Sequence, residues 1–281
     1  MQITSFGAPP LRALCSCTRH SSMPELPEVD VAARLLDRAA AGKVISELRT
    51  FHPAFERRLS AARAAAVRGR RIDRVERRGK HLLLHLDDHR VLHSHFRMTG
   101  DWEVVPGGES VPRHTRALLA LADGTRLALV DSRALGTLTL HDAGAAVLPA
   151  LGPEPFDAAF DAQFLGAALA ARRGAIKPAL LDQRVVAGLG NIYAAEALWV
   201  ARISPRAVAS GLSRPRRARL VSAIRRVLRG SLAGRYWAVG RSTRWRVYDR
   251  EGRPCSRCGS RIRRIVQGGR STYYCPRCQR A

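Results

Sequence analysis

Four cysteines near the C-terminus place the tightest geometric constraint on this chain. Cys255 and Cys258 form one pair, and Cys275 and Cys278 form a second pair after 16 intervening residues. This spacing is typical of a four-thiolate zinc site, in which each sulfur lies about 2.3 Å from the ion. Four protein ligands leave no open coordination position, so we expect one structural Zn²⁺. Two disulfides are the alternative, but the chain has no secretory signal that would favour them.

The segment between the cysteine pairs predicts a β-hairpin over residues 261–274, with Gly268 and Gly269 at its turn. The hairpin region is basic, and it contains Arg263, Arg264 and Arg270. A basic hairpin that zinc holds in place can enter a DNA groove.

The charge of the whole chain supports a polyanionic partner. Its 281 residues include 48 Lys and Arg against 23 Asp and Glu, which gives a formal net charge of +25. Nucleic acid is the favoured partner for such a surface, and an arginine-biased protein without a specific site is the alternative. The chain contains no apolar run of about 18 residues, so we expect no membrane span.

Periodicity divides the chain into regions of different secondary structure. The apolar spacing predicts a helix over 27–40, followed by strands at 44–48, 72–76, 81–86, 91–95, 117–121, 126–130 and 137–140. One helix and many short strands favour a β-sandwich or barrel-like domain. After a linker at 151–155, the pattern becomes helical, with helices over 160–172 and 191–201 and an arginine-rich helix around 220–228.

A distinctive motif, Met23-Pro24-Glu25, follows 22 other residues. If the chain begins at Pro24, that residue has a free secondary amine beside a carboxylate. If it begins at Met1, the Pro24 nitrogen is an amide without a nucleophilic lone pair. A wrongly chosen start codon is the simplest explanation of residues 1–22, and we expect them to be a non-native or disordered extension.

Several separated motifs resemble one family of DNA-repair enzymes. They are PELPEV at 24–29, GKHLLL at 79–84, HFRMTG at 95–100, LGPEP at 151–155, AIKPALLDQRVVAGLGNIYAAEAL at 175–198, VYDREGRPC at 247–255 and QGGRSTYYCPRCQR at 267–280. The chain from Met23 onward is thereby identified as a member of the formamidopyrimidine-DNA glycosylase / endonuclease VIII family.

The resemblance implies an α+β multidomain fold with DNA in a cleft between its halves. We expect an N-terminal helix plus β-sandwich over 23–148, a helix–two-turns–helix domain over 149–240, and a four-cysteine zinc finger with a β-hairpin over 244–281. The implied partner is double-stranded DNA with damaged bases or abasic sites. We also expect a monomer in the bacterial cytoplasm, associated with the nucleoid.

The same resemblance implies how the chain start takes part in catalysis. After removal of the initiator methionine, the amine of Pro24 attacks C1′ of the damaged nucleotide and forms a Schiff base. Glu25 is the implied general acid and base, Glu28 helps to position the site, and Lys80 belongs to the same catalytic group. Simple capping of a helix N-terminus is the alternative interpretation of the two glutamates.

Other matched positions imply contacts with DNA. Lys80, His95, Asn191 and Arg270 match residues that grip phosphates, and the start of a helix at Asn191 suggests amides that also bind a phosphate. Met98, Arg133 and Leu135 match residues that fill the space left by an extruded base. An ordinary turn lysine, a helix cap and a core methionine are the alternatives for Lys80, Asn191 and Met98.

The predicted activity is removal of oxidised purines, such as formamidopyrimidines and 8-oxoguanine, followed by β,δ-elimination. Three departures from the family pattern concern the lesion: Ala134 replaces a frequent arginine, Leu135 replaces a usual phenylalanine, and the segment 234–244, with Tyr236 and Trp237, is short. An enzyme for oxidised pyrimidines is the first alternative. A non-catalytic relative that binds damaged DNA is the second, and it applies if the extension is retained.

Overall fold

The computed structural model describes residues 23–233 and 245–280. The expectations for residues 1–22 and for the segment 234–244 lie outside these ranges. The chain divides into two compact units. The first contains Ala32–Glu76 and Leu83–Ala145, and the second contains Pro24–Val31, Arg77–Leu82 and the chain from Ala146 onward.

Two four-stranded sheets account for most of the first unit. In chain order the elements up to residue 145 are α1 Leu26–Ala40, β1 Ile45–Thr50, α2 Pro53–Glu56, α3 Ala61–Ala65, β2 Ile72–Arg78, β3 His81–Leu86, β4 Val91–His95, β5 Gly100–Val105, β6 Thr115–Leu121, β7 Arg126–Asp131 and β8 Thr137–His141. One sheet has the order β1-β6-β7-β5 and the other has the order β2-β3-β4-β8. The predicted N-terminal helix and sandwich-like strands are confirmed.

A buried hydrogen bond links the two sheets. Trp102 on β5 is 1% exposed, and its indole N–H donates to the hydroxyl of Ser94 on β4 at 3.2 Å. Strand β5 was not predicted, because it begins at a glycine and two acidic residues, Asp101 and Glu103, interrupt its few apolar positions. The strand nevertheless supplies one of the largest side chains of the core.

Strand β5 also gives the first unit a pH-dependent stability. Burial raises the pKa of Asp101 to about 7, with the Trp102 amide opposing the shift and the Glu103 charge adding to it. In the unfolded chain the pKa of Asp101 is about 3.9. Its contribution to the free energy of unfolding is therefore fully present below about pH 3.9 and is lost as the pH rises through 7. We expect Asp101→Asn to be about 1–3 kcal/mol more stable than the wild type at pH 8, and much closer to it at pH 4.

Denaturant unfolding at the two pH values measures this difference. The exposed Asp73→Asn substitution makes the same change of net charge and is the matched control. An Asp101→Asn advantage that is the same at pH 4 and pH 8 would contradict the assigned titration.

The second unit is helical before its C-terminal hairpin. Its elements are α4 Ala162–Leu169, α5 Ile176–Leu180, α6 Asn191–Val200, α7 Arg214–Leu232, β9 Arg263–Gln267 and β10 Arg270–Tyr274. The core contains Leu198 of α6 and Ile224 of α7, both fully buried. The hairpin closes through Gly268 and Gly269 with positive φ values of 54° and 71°, as predicted.

Two arginines of α7 are structural and do not simply cover a solvated helix face. Arg225 donates to the backbone carbonyls of Pro155, Asp157 and Phe160 at 2.8 Å each. Arg229 lies over the ring of Phe156 at 5.5 Å from its centroid. These contacts fix the segment that precedes α4, so part of the positive charge on this helix is used inside the unit.

A buried carboxylate anchors the start of the zinc segment to α6. Glu196 is fully buried, and its oxygens accept from the amides of Arg246, Val247 and Tyr248 at 2.9–3.1 Å. The zinc segment is thereby tied to the helix that begins at Asn191. Among the described residues, no helix has both the length and the apolar character needed to cross a bilayer.

Candidate active site and zinc centre

The carboxylate of Glu25 is bound at the N-terminus of α6. Glu25 is 2% exposed, and its oxygens accept from the amides of Ile192 at 2.7 Å and Tyr193 at 3.3 Å. Because these amides hold a protein carboxylate, they are not the open phosphate site that the sequence suggested. The side chain of Glu25 therefore caps α6 and not its own helix, α1, so capping of a helix N-terminus applies to Glu25 as well.

The turn before α6 admits Glu25 only because it contains glycine. A Cβ atom on Gly190 would lie 2.4 Å from the Glu25 carboxyl carbon, and one on Gly188 would lie 2.8 Å from the Leu26 side chain. Gly188 also has a φ of +82°, and its carbonyl accepts from the Leu26 amide at 3.0 Å. Because these two glycines have no side chain, the start of α1 can pack against the start of α6.

Glu28 holds the backbone beside Glu25. Its carboxylate accepts from the Glu25 amide at 2.7 Å and from the Tyr193 hydroxyl at 2.8 Å. The same hydroxyl lies 2.8 Å from the hydroxyl of Ser231. Glu28 thus has the capping role that the sequence left open, and through Tyr193 it also connects the chain start to α6.

The pKa values of the Glu25 and Glu28 carboxyl groups are both raised. Burial raises the pKa of Glu25, against the opposing charge of Lys80 and the α6 amides. Burial and the charge of Glu25 raise the pKa of Glu28 to about 7. The pair can therefore hold a proton near neutral pH, which is the property required of a general acid.

Lys80 lies on a turn that is held by Glu154 of the LGPEP motif. Glu154 accepts from the Gly79 amide at 2.7 Å and pairs with Arg77 and Arg78 at 2.9 Å each. Lys80 itself is 8% exposed. Burial lowers its pKa, the charges of Glu25 and Glu28 oppose this shift, and Arg270 adds to it. Lys80 is thus placed electrostatically beside both glutamates, which an ordinary turn lysine would not be.

Sequence reasoning missed Lys177, a buried lysine on α5. It is 1% exposed, and its ammonium donates to the Asn191 side-chain oxygen, to the Ser271 carbonyl at 3.2 Å and to the Thr272 hydroxyl at 2.7 Å. Burial lowers its pKa to about 8, with the Glu25 charge opposing and Arg270 adding to the shift. Lys177 joins α5 and α6 to the zinc hairpin.

Asn191 and Arg270 are placed around the same lysines. The Asn191 amide nitrogen donates to the Ser271 carbonyl at 3.1 Å, so this side chain links α6 to β10. Arg270 begins β10 and is exposed, and its charge acts on both Lys80 and Lys177. The second unit therefore brings the predicted Pro24, Glu25, Glu28, Lys80, Asn191 and Arg270 into one electrostatic neighbourhood, where Pro24 is half-buried.

The other four predicted DNA contacts belong to the first unit. Arg133 and Leu135 are exposed, Leu135 by 45%, in a loop organised around the fully buried Asp131. Asp131 accepts from the Gly136 amide at 2.7 Å, the Arg133 amide at 3.1 Å and the Thr99 hydroxyl. Ala134 has a φ of +51° in this loop, a conformation that is uncommon for alanine.

His95 ends β4, and Met98 lies in the turn that follows, where the Gly100 amide donates to the Phe96 carbonyl at 3.1 Å. The ring of His95 accepts from the Arg97 amide at 3.0 Å. Met98 is half-buried, which differs from the fully buried methionine of the core alternative. The contact between Thr99 and Asp131 therefore joins the turn that carries Met98 to the loop that carries Arg133 and Leu135.

The four predicted zinc ligands lie together. All four sulfurs fall within 4.8 Å of one another, with Cys255 to Cys278 at 4.0 Å and Cys258 to Cys275 at 3.4 Å. Tetrahedral bonds of about 2.3 Å require sulfurs about 3.8 Å apart, so the cluster fits one zinc ion. None of the four forms a disulfide.

Substitution of Gly190 tests whether its close packing against Glu25 positions the Glu25 carboxyl group. We expect Gly190→Ala to displace the Glu25 carboxyl group and to slow about 10²-fold the cleavage of lesion-containing DNA that the resemblance implies. DNA affinity, measured in parallel by fluorescence anisotropy, should change little. Gly174→Ala is the matched control, because a Cβ atom there meets nothing within 4 Å. Equal cleavage rates for the two variants would contradict this packing.

Family models match three successive parts of the chain. They are described as the formamidopyrimidine-DNA glycosylase N-terminal domain over residues 23–138, the formamidopyrimidine-DNA glycosylase H2TH domain over 151–239, and a zinc finger found in FPG and IleRS over 252–281.

Curated relatives match over nearly the whole chain. The formamidopyrimidine-DNA glycosylases of Novosphingobium aromaticivorans and Sphingopyxis alaskensis are 40% and 42% identical, and each alignment covers 92% of this chain and 100% of the relative.

Solved structures give the same result. The MutM (Fpg) protein of Thermus thermophilus is 37% identical with a TM-score of 0.80, over 91% of this chain and 98% of that one. Lactococcus lactis Fpg, bound non-covalently to DNA containing an AP site, is 31% identical with a TM-score of 0.83, over 92% of this chain and 100% of that one.

Proposed function

Because the chain belongs to the formamidopyrimidine-DNA glycosylase family, we propose that it excises oxidised purines from double-stranded DNA through a Schiff base on Pro24. It is a DNA glycosylase of a family whose members are also AP lyases. The observation that carries the proposed site is the buried Glu25 carboxyl group, bound by α6 amides and adjacent in sequence to Pro24.

The first chemical step exchanges one bond at C1′ for another. The Pro24 amine donates its electron pair to C1′, and the damaged base leaves with the electrons of the glycosidic bond. The bound amine then loses its N–H proton, and the departing base gains one, so the step is balanced. An α-amine suits this role because its pKa is about 7.7–8.0, so a useful fraction is unprotonated at neutral pH. The proposal requires that the chain begin at Pro24, and the first family model begins one residue earlier, at Met23.

Glu25 supplies and removes protons in the steps that follow. When the sugar ring opens, O4′ takes a proton from Glu25 and the C1′–nitrogen bond becomes an iminium. This cation acidifies C2′, so loss of a C2′ proton expels the 3′-phosphate, and a second elimination expels the 5′-phosphate. The raised pKa of Glu25 suits a group that must hold a proton and then accept one.

The cationic residues of the second unit are the proposed phosphate contacts. Lys80 and Arg270 supply charge, and Asn191 supplies amide hydrogens once phosphate replaces its present partners. Such contacts give affinity and orientation but no base recognition. In the first unit we propose that His95 grips a phosphate and that Met98, Arg133 and Leu135 fill the space left by the extruded base.

Solved relatives support the favoured substrate. One structure contains Lactococcus lactis Fpg with DNA that carries N7-benzyl-Fapy-dG. Leu135 favours a second candidate, an enzyme for oxidised pyrimidines, because leucine can wedge a base step but cannot stack as an aromatic ring does. Since the relatives are bacterial, the proposed setting is the bacterial cytoplasm, where the chain acts as a monomer on chromosomal DNA.

A lesion panel tests this proposal. Protein with a verified Pro24 start is incubated with matched duplexes containing formamidopyrimidine, 8-oxoguanine, an oxidised pyrimidine or an abasic site. We expect cleavage of the two purine lesions and the abasic site to exceed cleavage of the pyrimidine lesion. Cleavage of the pyrimidine lesion alone among the damaged bases would transfer the assignment to the second candidate, and binding without any cleavage would reject both.

A further inference from the structure

The side chain of Trp199 lies between the zinc-binding cysteines and an arginine of the same finger. Trp199 is 8% exposed and packs in one cluster with Cys255, Cys275 and Ile262. The Arg257 guanidinium lies 3.9 Å from the indole ring centroid, and its Nη1 donates to the Trp199 carbonyl at 3.1 Å. The indole is therefore held in place by a cation–π contact as well as by apolar packing.

Among the described residues, the buried indole N–H of Trp199 has no hydrogen-bond acceptor. Buried donors of this kind nearly always have a partner, so an unmatched one calls for an explanation. The neighbouring acceptor is the sulfur of Cys255. Cys255 packs in the same cluster as the indole, and the donors beside its sulfur are the Trp199 indole N–H and the amides of Arg257 and Cys258.

We propose that Trp199 is a positioning residue of the zinc centre, whose indole N–H donates to the Cys255 thiolate that binds the ion. A neutral thiol is a weak acceptor, whereas a thiolate is a stronger one because charge strengthens hydrogen bonds. Groups of this kind orient metal ligands and contribute to metal affinity.

The contact also connects zinc occupancy to the helix of the candidate active site. Trp199 and Ala195 of α6 pack in the zinc cluster, and the first amides of the same helix hold Glu25. The side chains that pack against the zinc cysteines and the amides that hold Glu25 therefore belong to one helix. This inference concerns metal binding, and its failure would leave the proposed glycosylase activity untouched.

Zinc affinity of the full-length protein tests the donor. Trp199→Phe keeps an aromatic ring for packing and for Arg257 but removes the N–H. Competition with a chromophoric zinc chelator should show affinity reduced about 10- to 100-fold. Trp102→Phe is the matched control, because it removes a buried indole N–H that donates to Ser94 at 3.2 Å. Zinc affinity of Trp199→Phe equal to that of Trp102→Phe would overturn the proposal.

Cobalt substitution separates a hydrogen bond from a packing effect. The thiolate-to-Co²⁺ charge-transfer band reports electron density on sulfur, so we expect it to shift in Trp199→Phe and not in Trp102→Phe. If Trp199→Phe does not fold, wild-type protein loaded with ¹¹³Cd answers the question by NMR. One indole proton should then show scalar coupling to cadmium through the hydrogen bond. An unshifted cobalt band, or no such coupling, would show that the N–H does not contact the ligand.

Discussion

Glu25→Gln is expected to bind lesion-containing DNA with nearly unchanged affinity while cleaving it 10²- to 10⁴-fold more slowly, in line with the usual loss when a general acid or base is removed. Glutamine has nearly the same shape but cannot exchange a proton at neutral pH. It also presents one acceptor oxygen to the amides of Ile192 and Tyr193, where the carboxylate now presents two. Single-turnover cleavage and fluorescence anisotropy separate chemistry from binding.

Charge requires its own control in this experiment. Removing one negative charge from a protein of net charge +25 strengthens non-specific binding to DNA. Glu47→Gln makes the same change at a side chain that is 58% exposed. Undiminished cleavage by Glu25→Gln, relative to Glu47→Gln, would remove Glu25 from its proposed role.

The start of the chain should have a still larger effect. We expect protein that begins at Pro24 to cleave abasic DNA and the 281-residue form to be inactive as a lyase. In the longer form the Pro24 nitrogen is an amide, whose electron pair is delocalised and not available for attack on C1′. Both forms should bind DNA, because the cationic residues and the zinc cluster are present in each.

Intact mass must accompany this comparison, since cellular aminopeptidases and proteases alter chain starts. A form that retains only Met23 separates blockage of the amine from any other effect of the longer extension, and it should also be inactive. Equal cleavage by all three mass-verified forms would contradict a role for the Pro24 amine.

Local sequence patterns predicted those parts of the structure whose residues lie close together in the chain. The cysteine spacing predicted the sulfur cluster, and the two glycines predicted the hairpin turn. The short helices α2, α3 and α5 were missed, because four or five residues do not establish a helical period. Strand β5 was missed because its pattern is interrupted by acidic residues.

Long-range contacts explain the remaining gaps in the site. Nothing local to PELPEV shows that the Glu25 carboxylate binds amides 167 and 168 residues away. One overlooked signal did exist: the chain has only three lysines, Lys43, Lys80 and Lys177, among its 48 basic residues. Two of these three are buried near Glu25, where a compact amine with an adjustable pKa differs most from arginine.

Lys80 and Lys177 are the alternative nucleophiles to the Pro24 amine. Burial lowers the pKa of both, so each is a possible amine nucleophile. Borohydride reduction of the Pro24-start protein with abasic DNA, followed by peptide mass mapping, identifies the attached nitrogen directly. We predict that the adduct lies on Pro24. An adduct on Lys80 or Lys177, or none from protein that still binds the DNA, would contradict catalysis by the Pro24 amine.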